Sequence, residues 1–196
     1  MDFYILMAAL AAALTIVSVV PYVRDMVKGT TRPNIVTWGL WCLIQAIFAA
    51  AQFSAGASLS IVLPLFEVAT VGLIVVLGLA GFGYKKYGPI DFVCLVLALG
   101  AIALWQVTND PMLAMWMAVA ADFIAAIPTL FKAYRDPKSE TPLAYFLVVL
   151  SAIAAGFSTT IIDIPNLLWP AYIFAINTST VTLILLGKRA KKRGRV

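Results

Sequence analysis

Histidine is absent from this chain, and cysteine occurs only at Cys42 and Cys94, both inside apolar runs. The first absence removes the commonest zinc and haem ligand, and the second leaves no cysteine framework in an aqueous loop. Neither a metal or haem centre nor a disulfide scaffold is therefore expected. Charge is scarce as well, at 12% of residues. No nucleophile stands beside a plausible base and no glycine-rich phosphate loop follows a strand, so the sequence points away from an enzyme, and no cofactor is expected. The only early charge is Asp2. Without a basic segment ahead of it or a small-residue cleavage site behind it, the first apolar run reads as a retained span rather than a signal peptide.

What the chain has in abundance is apolar surface. Hydrophobic residues make up 63% of its 196 residues and the mean hydropathy is +0.98, more than a soluble core would bury. The fold expected is all-α and integral to the membrane. About 20 apolar residues cross a bilayer of roughly 30 Å, and apolar runs bounded by charge, proline or glycine fall at 3–23, 34–54, 59–83, 90–107, 111–131, 142–161 and 166–187. Seven transmembrane helices with short loops consume almost the whole length.

The basic residues orient those spans. Arg24, Lys28 and Arg32 follow the first run, Lys85 and Lys86 the third, and Lys132, Arg135 and Lys138 the fifth; the other six lie between Lys188 and Arg195, which accounts for all 14. With seven spans every one of these segments lies on one side, while Asp2, Asp110 and Asp163 mark a side without Lys or Arg. The positive-inside rule then puts the amino terminus outside and the carboxyl terminus in the cytoplasm. The net charge of +5 needs no nucleic-acid partner. The basic tail reads as a flank against anionic lipid, so the bilayer is the expected partner, and a bacterial inner membrane the default setting.

An internal repeat is visible. Residues 21–33 run from Pro21 through basic residues to Pro33, and residues 128–142 run from Pro128 through basic residues to Pro142. Leu63-Pro64 in the third run is echoed by Trp169-Pro170 in the seventh, and the apolar stretches that follow end at Gly78 and Gly187. Basic inner loops and helix-opening prolines are common in membrane proteins; the paired order carries more weight. Two three-helix units joined by one linking helix share an orientation, which is a parallel repeat about the membrane normal. The expected organisation is residues 1–83, a linker with the fourth helix at 84–110, residues 111–187, and a basic tail at 188–196.

With Pro21 and Pro128 in these loops and Lys138-Ser139 following the second, the chain resembles the PQ-loop and SWEET-like transporter superfamily. The resemblance covers nearly the whole length. Tyr22 and Thr129 stand where the family's motif has glutamine, and Gly29-Thr30 where a Lys-Ser pair would be sought, which marks a divergent branch. The resemblance implies seven helices arranged three-one-three, an outside amino terminus, and helix breaks that let the bundle rock. Pro21, Pro64, Pro128 and Pro170 are the hinge candidates, the alternative for each being a static kink tolerated by neighbouring helices.

Polar residues converge at mid-membrane depth. Glu67, Asp122 and Asn177 fall near the centres of the third, fifth and seventh runs. An ionised carboxylate at a helix centre costs about 2.5–3.5 kcal/mol on the lenient insertion scale, so these side chains should face a cavity, pair, or stay protonated. On the second run Trp41, Gln45, Phe48 and Gln52 recur at helical spacing and line one face, which Trp38 extends inward; Glu67 and Thr70 share a face of the third. Trp41, Gln45, Glu67, Thr70 and Asn177 are thus the expected substrate-binding set. Trp38 reads better as an interfacial anchor. Asn177 has the alternative of an interhelical hydrogen bond, worth about 0.6 kcal/mol on average. The family resemblance implies a binding asparagine on the last helix of a repeat; Asn177 falls in that region, whereas the third run offers Val71 or Gly72. It also implies proton coupling through intramembrane carboxylates, for which Asp122 is the first candidate and Glu67 the second.

Together these features imply a carrier moving a small polar solute, such as a sugar, an amino acid or a vitamin-like nucleoside, by alternating access. The alternative is a non-transporting membrane receptor or sorting protein of similar fold, which would need cations on the outer side to hold a peptide carboxylate.

Overall fold

The computed structural model describes residues 2–86, 88–138 and 140–192. Ser139, and the tail beyond Lys192, lie outside the described residues, so the Lys138-Ser139 pair is not described as a unit. The described residues form seven α-helices and no strand: α1 Phe3–Val27, α2 Ile35–Ser54, α3 Val62–Leu77, α4 Pro89–Thr108, α5 Pro111–Arg135, α6 Pro142–Gly156 and α7 Ile164–Lys192. A 3-10 turn, Leu59–Ile61, leads into α3, and a π-helical turn, Gly78–Phe82, closes it.

The sequence marks most of these boundaries chemically. Pro89, Pro111 and Pro142 each open a helix, where the missing N–H has no intrahelical partner to lose and the fixed φ suits the first turn. Asp110 Oδ1 accepts from Met112 N at 2.9 Å, and Asp91 Oδ2 accepts from Gly88 N at 2.8 Å, satisfying donors at helix starts. At the end of the π turn Gly81 takes φ 109°, a conformation glycine reaches without penalty.

Six stretches are long and apolar enough to cross a membrane: α1, α2, α4, α5, α7, and α3 with its flanking turns. The seventh, α6, has 15 residues, about 22 Å at 1.5 Å per residue. It stops at Gly156, earlier than the expected 161, where the chain passes into the polar stretch Ser158-Thr159-Thr160. Elsewhere the helices outrun the expected spans: α1 continues to Val27, α5 to Arg135 and α7 to Lys192. Charge ends an apolar run but does not end a helix.

The surface is that of an integral membrane protein. Large apolar side chains lie exposed on many elements, among them Phe53, Val76, Phe92, Val107, Phe131 and Ile162, a continuous apolar exterior that water would not tolerate but lipid would solvate.

Inside, the helices pack as a ring. α1 packs on α3 and α6, α2 on α3 and α5, and α7 on α5 and α6, while α4 lies outside against α5 and α2. Small residues make the approach close: Ala11, Ala118, Ala121, Ala125, Ala152 and Ala155 are buried in the principal core, as expected where backbones meet in lipid. On α1 the close-packing residues are Ala8 and Ala11. Between α1 and α6, the Thr15 and Ser151 hydroxyls lie 2.7 Å apart and both reach the Ala11 carbonyl. At the end of α7, a Cβ on Gly187 would collide with the Tyr134 carbonyl, so α7 and α5 touch there through backbone.

Candidate functional site

The ring encloses a cavity of about 150 Å³. All of Trp41, Gln45, Glu67, Thr70, Asp122 and Asn177 line it, so side chains from α2, α3, α5 and α7 meet in one space. Among the described residues lining it there is no lysine or arginine.

Each carboxyl group is held by an aromatic donor on α7. The Trp169 indole donates to Glu67 Oε2 at 2.6 Å, and the Tyr172 hydroxyl donates to Asp122 Oδ2 at 2.5 Å. These two bonds tie α7 to α3 and to α5. Trp169 and Tyr172 stand three apart on one helix face, so one turn of α7 addresses both acids. Asn177 donates from Nδ2 to the Ile173 carbonyl at 2.9 Å, a bond within its own helix, not across to another. Thr70 likewise returns its hydroxyl to the Phe66 and Glu67 carbonyls.

Two buried polar atoms in the cavity wall have no hydrogen-bond partner among the described residues: Trp41 Nε1 and Gln45 Oε1. A buried donor or acceptor left unmade costs about 1–3 kcal/mol, and its retention in a cavity wall is what a site awaiting a ligand requires.

The expected stripe on α2 divides. Trp41 and Gln45 face the cavity, but Phe48 and Gln52 are fully buried elsewhere. Phe48 stacks on Trp169 with ring centroids 4.3 Å apart, and Gln52 donates to the Pro165 carbonyl at 2.8 Å and to Ser60 Oγ at 3.2 Å. Trp38, expected as an interfacial anchor, is instead part of the cavity wall. It packs on Tyr22 at 4.9 Å and edge-on to Trp41 at 5.2 Å; its position three residues before Trp41 was the available signal.

The two ends of the bundle differ. On the side of Asp2, Asp110 and Asp163, the Asn166 carbonyl oxygen accepts from Ser58 N, Ser58 Oγ and Ser60 Oγ at 2.8, 2.8 and 2.9 Å. Its amide donates to Asp163 Oδ1 at 2.8 Å, and Ser58 Oγ also reaches Thr159 Oγ1 at 2.7 Å. The entrance to α3 is thereby laced to the start of α7, and the Phe48–Trp169 stack lies beneath. Towards the basic side, a wider recess of about 300 Å³ shares Tyr22, Trp38, Trp41, Thr129 and Tyr145 with the cavity. Its wall carries Arg32, Lys86 and Lys132, and there Lys132 pairs with Glu140 at 3.0 Å while Tyr145 donates to Glu140 at 2.7 Å.

The hinge candidates are placed unequally. Pro21, Pro128 and Pro170 lie inside α1, α5 and α7, and Pro128 borders the open recess. Pro64 is the third residue of α3, in the first turn, where a missing N–H breaks no interior bond. Trp169, Tyr172, Tyr22, Tyr145 and Asn166 complete the site and were not singled out from the sequence as binding or gating residues. Tyr22 had a signal, standing in the motif position directly after Pro21.

Fold and cavity define a class: a helical membrane protein with a small chamber between its helices, mostly apolar in lining and carrying two carboxyl groups. No protein-family model, no curated protein and no solved structure matches the chain.

Proposed function

We propose that this protein is a membrane carrier that moves a small polar solute by alternating access between two three-helix units, α1–α3 and α5–α7, with α4 as the link. The single observation that carries the proposal is the chamber itself: two carboxyl groups and two polar atoms without a partner among the described residues, in a space that shares its lining with a wider recess towards the basic side. A static structural bundle has no use for such a space.

The packing order supports the repeat. Around the ring the helices run α1, α3, α2, α5, α7, α6, and exchanging α1 with α5, α2 with α6 and α3 with α7 maps every one of those contacts onto another. A pseudo-two-fold axis along the membrane normal, passing through the chamber, accounts for this, and it is the arrangement the PQ-loop and SWEET-like resemblance implies. With the basic loops in the cytoplasm, the described conformation is inward-open. The counterpart opens the Asn166 lacing and closes the recess, with Pro21, Pro128 and Pro170 as the points where helices bend. Asp122 and Glu67 are the residues through which a proton gradient would act.

Counterflow uptake into liposomes containing the purified protein, against a panel of labelled sugars, amino acids, nucleosides and amines, tests the proposal. Saturable uptake that is lost in Asn177→Ala supports a carrier. Ligand-induced thermal stabilisation without uptake of any solute would replace it with the non-transporting receptor.

A further inference from the structure

Beside the one unpartnered indole donor, Trp41 Nε1, the chamber wall is rich in hydrogen-bond acceptors. The hydroxyl protons of Thr15, Ser18, Thr70 and Thr180 are turned back onto main-chain carbonyls of their own helices, and the Asn177 amide does the same. The oxygens of Ser18, Thr70 and Thr180 stay available as acceptors, while that of Thr15 also meets the Ser151 hydroxyl. Gln45 Oε1, buried and unpartnered, is another. Glu67 and Asp122 each accept one bond through one oxygen, and Glu67 Oε1 and Asp122 Oδ1 make no hydrogen bond to the described residues.

Charge and ring faces point the same way. Two acids line the chamber, and no lysine or arginine among the described residues offsets them, in a chain whose net charge is +5. Beside the acids stand Tyr22, Trp38 and Trp41, packed on one another. Aromatic faces attract cations through the ring quadrupole, most strongly where water is excluded. A ligand carboxylate would meet acceptor oxygens with no lysine or arginine among the described lining residues to hold it.

From this we infer that the solute is a small primary alkylammonium ion without a carboxylate. Its three N–H donors meet the acceptor oxygens of Glu67, Asp122 and Gln45, and its short apolar stem lies against Trp38 and Trp41. Three donors distinguish it from a quaternary ammonium, which supplies charge but no N–H. The inference rests on the carrier reading only for the word solute; the binding preference stands or falls separately.

Equilibrium binding to the purified full chain, by titration calorimetry in detergent at neutral pH, tests it with four probes. These are n-butylammonium, the neutral isostere n-butanol, 4-aminobutyrate, which adds a carboxylate, and tetramethylammonium, which keeps charge without N–H. The expected result is binding of n-butylammonium at least tenfold tighter than each of the others. Asp122→Asn and Glu67→Gln, which retain a side-chain carbonyl acceptor for Tyr172 and Trp169, should each lower that affinity at least tenfold. Equal or tighter binding of n-butanol or 4-aminobutyrate overturns the inference, as does tetramethylammonium binding equal to n-butylammonium. Absence of measurable n-butylammonium binding overturns it too. Tight n-butylammonium binding without counterflow would leave the inference standing and remove the carrier; counterflow of a neutral sugar with no ammonium preference would do the reverse.

Discussion

Trp169 and Glu67, 102 residues apart in sequence, are joined by a 2.6 Å hydrogen bond from the indole nitrogen to Oε2, with the indole fully buried. The bond lies between α7 and α3 and fixes one of the two acids in the chamber wall. Two variants bear on it, one that removes the donor together with part of the buried ring and one that keeps an acceptor. Trp169→Phe should destabilise the protein by about 1–3 kcal/mol, since a charged or polar acceptor is left buried without its partner, whereas Glu67→Gln keeps an acceptor and should cost less. Thermal unfolding in detergent reads both; a Trp169→Phe variant as stable as the parent would mean that the bond contributes nothing net.

Glycines at two positions should respond in opposite directions. Gly187→Ala drives a Cβ into the Tyr134 carbonyl, and with backbone on both sides nothing flexible can yield, so a loss of about 1–3 kcal/mol is expected. Gly39 lies within α2 with nothing within 4 Å of its would-be Cβ. Gly39→Ala should be neutral or stabilising by up to about 1 kcal/mol, the helix penalty of glycine. The same thermal measurement decides, and equal responses would contradict the close approach of α5 and α7.

Hydropathy made the helices legible because lipid solvation is written into composition, and it located Glu67, Asp122 and Asn177 because charge and amide groups stand out against apolar runs. It misjudged α6 for the same reason. Phe157, Ile161 and Ile162 keep the window apolar on average, but Ser158-Thr159-Thr160 lie between them; the helix stops at Gly156 and Thr159 joins the hydrogen-bonded lacing. The partners of the two acids were not legible either. Trp169 and Tyr172 look like ordinary apolar-helix aromatics, and only packing between helices 50 and 102 residues apart gives them their acids. The division of the α2 stripe has the same cause: equal spacing on one face cannot tell a chamber-lining Gln45 from a Gln52 that meets Ser60 and the Pro165 carbonyl.

The positive-inside rule predicts the topology. A cytoplasmic reporter fused after Lys192 should be active, and a reporter that works only outside the cytoplasm should be active when inserted at Gly56 or Asn109, both in connections on the side without Lys or Arg. The opposite pattern would invert the orientation and make the described state outward-open. Activity of the outside reporter at both Gly56 and the carboxyl terminus would contradict an odd number of spans between termini.

The central claim is that the chamber is reached from one membrane face at a time, and sided labelling of a cysteine placed in it tests that claim most directly. In a background with Cys42 and Cys94 replaced by alanine, Gln45→Cys is exposed to a membrane-impermeant thiol reagent from either side of sealed vesicles. The account predicts labelling chiefly from the basic face. It also predicts that Asn166→Ala, which removes the acceptor shared by Ser58 and Ser60, raises labelling from the opposite face at least tenfold, the shift that about 1.4 kcal/mol of lost closure would give. Labelling from neither face, or an Asn166→Ala variant labelled only as the parent is, would contradict it.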